Sequence, residues 1–579
     1  MPDTISPDEQ PSLFRLLRPY TGIIALLVVL TIAANALNLS VPRIIGSAID
    51  TYATGHFVFA NLIIEFGLVA LFIFLFTYAQ NIVQVYASER VARDLRNDLS
   101  AKISVQPYEY IDRVGPAKLL TNLTSDVDAV KTFVAQAIAA LISSVFLIIG
   151  ASILLLLLDW RLGLAVLVVV PIIGGSFFFV LSRVRKLFTR SQEAIDWLNK
   201  VISESILGSS LIRLLNSQHY EYEKFLAANT EAKDIGMNIL KLFSSIIPVI
   251  TLSTNFATLI ILALGGHFVI NGSMTLGDFT AFNSYLAILI FPILIIGFMS
   301  NAIAQATASY GRITKVLHAP AQAKTGGRKA DLRGDIEVKD VTVRFGEKIA
   351  LKDVSFSTGG GTRTAIIGPT AAGKTQLLYL LTGLLAPTAG VIEYDAHDLN
   401  EYDKQDLHRQ IGFVFQDSAL FNLTLRENIA FSNTVEDADI ELAIRTAELD
   451  DFIKALPSGL DTIVSERGTS LSGGQKQRIM LARALALNPR VLLLDEFTAR
   501  VDTQTEKTIF ANIAKNYPGI TLVSVTQKIA PVESYDQILL LMEGELLARG
   551  THAELMRTSP EYVQIYDSQR STSQYELQA

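Results

Sequence analysis

Gly368-Pro369-Thr370-Ala371-Ala372-Gly373-Lys374-Thr375 fits the phosphate-loop pattern G-x-x-x-x-G-K-[ST]. Thr364-Ala365-Ile366-Ile367 before it reads as a short buried strand, and Leu377 to Leu385 after it as the start of a helix. The motif needs that strand–loop–helix context. Its glycines let backbone N–H groups wrap phosphates, and the helix N-terminus adds a favourable dipole. Lys374 is expected to reach the β- and γ-phosphates of a nucleotide, with the Thr375 hydroxyl on Mg²⁺.

Val491-Leu492-Leu493-Leu494-Asp495-Glu496 is an apolar strand ending in two acids. Alone it reads as a core strand with a polar end. Beside a phosphate loop, Asp495 becomes a Mg²⁺ ligand and Glu496 the group that polarises an attacking water. Between the two stretches, Leu471-Ser472-Gly473-Gly474-Gln475 opens a helical run from Lys476 to Leu487. Ser472 and two glycines before a helix make either an anion site or an ordinary N-cap.

These residues resemble the nucleotide-binding domain of ABC transporters, where LSGGQ is the family signature. The resemblance extends over nearly the whole chain. It implies an α/β phosphate-loop ATPase domain with ATP and Mg²⁺ as cofactors. It also implies head-to-tail pairing of two such domains, in which Ser472, Gly473, Gly474 and Gln475 touch the ATP held by the partner's phosphate loop. Gln376 closes this chain's own loop. Phe345 falls at the family's aromatic position that stacks on adenine. Ile336 to Phe345 and Ile349 to Phe356 read as antiparallel strands joined at Gly346-Glu347. Gln416 ends the strand that starts at Ile411 and matches the glutamine that contacts Mg²⁺ or water and senses the membrane domain. Leu420 to Ser432 and Glu441 to Leu456 read as a helical subdomain. It leads to Glu466-Arg467-Gly468, which in exporters lies near a coupling helix.

Composition agrees with a membrane chain. The 579 residues are 50% hydrophobic, with a mean hydropathy of +0.36. That is too apolar for a soluble enzyme of this length, and the length implies several domains. A net charge of −7 gives no sign of a nucleic-acid partner. With no cysteine, disulfide and thiol chemistry are excluded. Met1 to Pro11 is polar and acidic, so no cleaved signal peptide is expected. Ser12 to Arg18 reads as a short amphipathic stretch at a membrane interface.

Six apolar segments follow, at Tyr20–Ile49, Asn61–Ala87, Thr132–Leu158, Leu162–Leu181, Leu242–Leu264 and Leu276–Ile303. The loop after the second carries Arg90, Arg93, Arg96, Lys102, Arg113 and Lys118. The loop after the fourth carries Arg183, Arg185, Lys186, Arg190, Lys200, Arg213, Lys224 and Lys233. The turns Tyr52–Ala60 and Gly265–Thr275 carry no Lys or Arg. By the positive-inside rule, both termini and both long loops are expected on the cytoplasmic side of the cytoplasmic membrane. Arg43, within the outer half of the first span, does not fit this pattern.

The fold class that results is multi-domain. Residues 1–325 are read as an all-α transmembrane domain of six helices, and 326–579 as the ATPase domain. Pro107 to Val127 and Gly208 to Tyr222 look like the two intracellular loops of type IV exporters, with coupling helices expected near Tyr108–Val114 and Asn216–Glu221. Polar residues in the spans are candidates for a substrate path or for interhelical hydrogen bonds: Asn35, Asn38, Glu65, Gln80, Asn81, Asn255, Asn283 and Gln305.

Three positions depart from the family pattern. Leu522 to Thr526 leads into Gln527 where the family has its switch histidine. A glutamine amide hydrogen-bonds a γ-phosphate but takes no proton. Arg500 stands where a small residue is usual, in a loop expected to cross the dimer interface. Gln376 replaces a small hydroxyl residue. The pattern resembles the less active chain of heterodimeric ABC exporters, although Glu496 is retained. The expected function is ATP-driven export of a drug, lipid or other amphipathic molecule. The expected catalytic residues are Glu496, Gln527 and Gln416, and the expected metal ligands Thr375, Gln416 and Asp495. The partner is a second half-transporter, heterodimeric by preference and homodimeric as the alternative. An importer built on the exporter fold is the other rival.

Overall fold

Six helices, each of 39 residues or more, run through the first half of the chain: Arg15–Ala53, Phe59–Ser104, Pro116–Leu158, Trp160–Leu207, Gln218–Ile270 and Leu276–Leu317. All are long and apolar enough to cross a membrane. The structure is a computed structural model that describes residues 13–320, 326–417, 419–432, 434–465, 468 and 470–578. The expected features at Met1 to Ser12, at 321–325 around the domain boundary, and at Glu466-Arg467 lie outside the described residues.

The apolar segments are parts of much longer helices. Phe59–Ser104 has 46 residues, about 70 Å at 1.5 Å per residue, more than twice a hydrocarbon core of about 30 Å. The charged stretches read as loops are therefore continuous helical extensions of the spans. A short helix lies at Tyr108–Val114, where one coupling helix is expected. The other does not lie at Asn216–Glu221. The short helix there is Ser209–Leu214, and Gln218 to Glu221 is the first turn of the long helix that follows. Asn216 has φ 53°, a left-handed conformation that interrupts the helix.

Polar groups pin the apolar helices together. The Gly277 N–H donates to Asp50 at 2.7 Å, and the Tyr285 hydroxyl donates to the Leu39 carbonyl at 2.9 Å, joining the first and sixth spans. Asn35 is buried and accepts a hydrogen bond from Ser143 at 3.0 Å, so it acts as a contact between helices. Asp126, 2% exposed, meets Arg312 Nε at 3.0 Å and joins the third and sixth helices.

The chain separates into two units. One holds the chain up to Gln106 with Val114–Pro320, and the other holds Pro107–Arg113 with the chain after Pro320. The second unit carries ten strands among the described residues: β1 (Ile336–Phe345), β2 (Lys348–Thr358), β3 (Arg363–Ile367), β4 (Ala389–Tyr394), β5 (His397–Asp398), β6 (Ile411–Val414), β7 (Val491–Asp495), β8 (Thr521–Thr526), β9 (Gln537–Met542) and β10 (Glu545–Gly550). They form an antiparallel sheet in the order β2-β1-β4-β5 and a larger sheet in the order β10-β9-β3-β8-β7-β6. In the larger sheet β3, β6, β7, β8 and β9 pair in parallel.

Both faces of the parallel strands are covered, and in β7 this shows as the apolar run Val491 to Leu494. Leu492 and Leu494 enter one core with Ile479 and Leu481, while Val491 and Leu493 enter the opposite core with Leu377 and Leu381. The alternation is the two-residue period of a strand.

Glu506, on the helix Thr503–Asn516, is 5% exposed, and its Oε1 has no hydrogen-bond partner among the described residues. Burial pushes its carboxyl up from 4.5 to about 7, against the opposing pull of Lys528 and Lys507. A raised carboxyl contributes stability in full below its unfolded pKa and loses it as pH rises through the folded value. Glu506→Gln is therefore expected to stabilise the domain at pH 8 by about 3 kcal/mol, with the gain vanishing toward pH 4.5. Thermal unfolding of the full chain across this range checks it. A gain independent of pH would refute the titration.

Candidate functional site

β3, β8, β7 and β6 are consecutive neighbours in the larger sheet and parallel to one another. Their C-terminal ends lie in a row about 4.8 Å apart per step. The phosphate loop follows β3, Gln527 follows β8, Glu496 follows β7, and Gln416 lies two residues beyond β6. Ligands of parallel α/β sheets bind along this edge.

The phosphate loop turns sharply between β3 and the helix Lys374–Leu381. Gly373 has φ 95°, and a side chain there would meet the Ala350 carbonyl oxygen at 2.7 Å. At Gly368 a Cβ would collide with the Leu541 carbonyl oxygen. Pro369, Thr370 and Ala371 face solvent, Ala372 and Gly373 are buried, and Thr375 and Gln376 are half-buried. Lys374 is 6% exposed, and its ammonium donates to the carbonyls of Gly368 at 2.9 Å and Pro369 at 2.8 Å. Burial pulls its pKa below the ordinary lysine value. The cation is thus held inside the loop by two carbonyl contacts.

Thr375 donates to Asp495 Oδ1 at 3.3 Å. Asp495 is 1% exposed, and burial pushes its carboxyl up to about 6. Its other oxygen, Oδ2, is buried without a hydrogen-bond partner among the described residues. An orphaned carboxylate oxygen beside a threonine hydroxyl offers oxygen donors of the kind Mg²⁺ takes, while the Gln416 amide nitrogen is turned to Glu496. Thr375 and Asp495 fit that ion.

Glu496 has φ 46° and ψ 34°, left-handed for a non-glycine residue. The Val525 carbonyl accepts from its backbone N–H at 3.0 Å and holds it there. Both carboxylate oxygens are engaged. Gln416 Nε2 donates to Oε2 at 3.1 Å, and Gln527 Nε2 donates to Oε1 at 2.7 Å. The three residues expected at the reaction centre are brought together as one bridge.

Phe345 lies at the turn end of β1 opposite Lys348 and is 44% exposed, so it is not a core side chain. Ser472 caps the helix Gly473–Leu485. Its hydroxyl accepts from the Gln475 N–H at 3.3 Å, while its own N–H donates to Gln475 Oε1 at 2.9 Å. This is a capping box that engages the Gln475 side chain. Arg500 lies beside this helix start, and a Cβ on Gly473 would meet its Cδ at 2.9 Å.

Two groups of residues at the site had no sequence signal. Tyr379, on the phosphate-loop helix, packs against Tyr108 at 5.4 Å between ring centroids and against Phe415 at 6.2 Å. Phe415 immediately precedes Gln416, so an aromatic chain links the segment Pro107–Arg113 to the glutamine. The other is Gln569, on the helix Pro560–Gln578, which contacts the backbone after β8.

Residues 24–293 match the family described as ABC transporter transmembrane region, and 351–499 match the one described as ABC transporter. The Bacillus subtilis (strain 168) protein called Uncharacterized ABC transporter ATP-binding protein YfiB is 33% identical over 566 residues, covering 96% of this chain and 97% of that one. The ATP-dependent lipid A-core flippase of Syntrophus aciditrophicus (strain SB) is 28% identical over 565 residues, covering 96% and 94%. The fold is that of a solved bacterial Atm1-family ABC exporter with ATP bound, at a TM-score of 0.77 and 23% identity over 96% of this chain and 98% of that one.

Lys374→Ala is expected to weaken nucleotide binding at this site by about ten- to a hundredfold, the usual weight of hydrogen bonds to a charged group. Equilibrium binding of a fluorescent ATP analogue measures it. Unchanged affinity would show that Lys374 does not contact the phosphates.

Proposed function

This chain belongs to the ABC transporter family, and on that premise we propose that it is one half of a heterodimeric ATP-driven exporter whose own nucleotide site turns over slowly. It is a multi-pass membrane protein of exporter type with an ATPase domain that couples hydrolysis to transport. The substrate is an amphipathic molecule, a lipid or drug, for which the resemblance to a lipid flippase is the support. The membrane is the cytoplasmic one, with the ATPase domain and both termini in the cytoplasm.

In this reading the backbone from Gly368 to Gln376 cradles the phosphates and Lys374 neutralises the β- and γ-groups. Phe345 stacks on adenine. Thr375, Asp495 and Gln416 hold Mg²⁺, which supplies charge neutralisation on the phosphate oxygens. Glu496 orients water. Ser472 to Gln475 serve the nucleotide of the partner chain.

The observation that carries the reading is the Gln527 amide seated on Glu496 at 2.7 Å. An amide there donates a hydrogen bond but neither accepts nor returns a proton, so a histidine's acid–base contribution is missing. The retained Glu496 supports the second reading, a homodimer with two working sites.

Ser472 is expected to matter more to turnover than this chain's own Glu496. In the purified assembly, Ser472→Arg should remove most ATPase activity and Glu496→Gln only a minor part. The reverse order would refute the heterodimer.

Gln527→His is expected to raise hydrolysis at this chain's site. The gain should fall short of the full factor of about 10²–10⁴ for acid–base catalysis, because Arg500 and Gln376 also depart from the pattern. Single-turnover hydrolysis, with the other site's catalytic acid substituted, measures it. A fast rate with Gln527 intact favours the homodimer, and no gain with histidine removes the switch position as the cause.

A further inference from the structure

We propose that Gln569 is a positioning residue for Gln527, clamping the main chain that carries it. The proposal rests on the reading that Gln527 acts at this chain's nucleotide site. Gln569 Nε2 donates to the Gln527 backbone carbonyl at 2.6 Å, and its Oε1 accepts from the Ile529 N–H at 2.9 Å. One side-chain amide therefore holds two main-chain groups of the same loop.

The loop needs such a clamp. β8 ends at Thr526, and the next regular turn is Ala530–Val532. Between them the backbone has left the sheet ladder, so its polar groups require partners from elsewhere. A glutamine side chain carries a donor and an acceptor on one planar group and supplies both. Thr526 adds one local contact, accepting from the Lys528 N–H at 3.1 Å. The Ile529 carbonyl accepts from the Val532 N–H at 2.9 Å, and Gln569 supplies two further main-chain contacts, to Gln527 and Ile529.

The clamp is mounted on a fixed support. Tyr562 is fully buried, and its hydroxyl lies 2.7 Å from His552 Nδ1. Ile565 and Tyr566 pack on the same core. Tyr562, Tyr566 and Gln569 are spaced to lie along one face of the helix. That face is the one anchored in the domain, so Gln569 projects from a rigid element. Gln527 in turn places its amide on the carboxylate of Glu496. Reaction geometry is sensitive to displacements of about 1 Å, and loss of the clamp frees the loop that sets the Gln527 position.

The test uses the full chain in its assembled transporter with Gln569→Ala and Gln569→Glu. Glutamate keeps the acceptor for Ile529 and loses the donor for Gln527. Hydrogen–deuterium exchange at Ile529 should accelerate about tenfold in the alanine variant, the size of a lost hydrogen bond, and less in the glutamate variant. Single-turnover hydrolysis at this chain's site should fall about three- to tenfold with alanine and less with glutamate. The ATP concentration at half-maximal rate should stay within about twofold, because the phosphate loop is untouched. Unchanged exchange at Ile529 overturns the clamp. Faster exchange with an unchanged rate, where Gln527→Ala does lower the rate, overturns the positioning role alone. An unchanged rate in Gln527→Ala overturns the underlying reading of Gln527 and the proposal with it.

Discussion

Parallel pairing of β3, β8, β7 and β6 is the constraint from which the site follows. Each strand sends apolar side chains into both cores, so its register is set by two cores at once. Pairs such as Ile367 with Thr526 and Asp495 with Val525 bring the strand ends level. A slip of one residue would exchange the side chains of the two cores, so the packing holds the register firmly. The polar residues that follow each strand are thereby delivered to one edge. β8 lies between β3 and β7, which places Gln527 between the phosphate loop and Glu496.

Electrostatics at that edge follow from the same burial. Lys374 and Asp495 are nearly inaccessible, and burial moves both toward their neutral forms. In the proposed function each would gain from a partner of opposite charge: a polyphosphate for the lysine, a divalent cation for the aspartate. Glu496 is only half-buried, held in a left-handed conformation and bridged by two glutamine amides. Its carboxylate is oriented by neutral donors on both sides. The aromatic chain from Tyr108 through Tyr379 and Phe415 adds a packed route to one of those donors, made of rings that cannot shift independently.

The transmembrane unit solves a different problem. Lipid offers no hydrophobic gain for one helix against another, so close contact depends on polar pins and small residues. Asp50 at the start of Leu276–Leu317 and the pair of Asp126 with Arg312 serve as such pins at separate points along the sixth helix. Long exposed apolar stretches remain, among them Leu71 and Phe74 of the second helix, as expected for side chains facing lipid.

The sequence by itself determined the element types and the chemistry of the site. Apolar run length identified six spans, and the phosphate loop, the Asp495-Glu496 pair and the Ser472 helix start were legible because each is a local pattern with a local physical cause. The alternation of β1 and β2 around Gly346-Glu347 was legible for the same reason. Tertiary structure decided what depends on partners remote in the chain. The helical character of the two long charged loops was legible, and tertiary structure decided that they continue the spans as single long helices. The short helix lies at Ser209–Leu214 and not at Asn216–Glu221, where Asn216 adopts a left-handed conformation that no periodicity announces. Gln475 turned inward to close a capping box, and Arg500 lay along its own signature helix. The contact of Gln569 with Gln527 spans 42 positions and involves main-chain atoms on one side, so side-chain identity alone carries no trace of it.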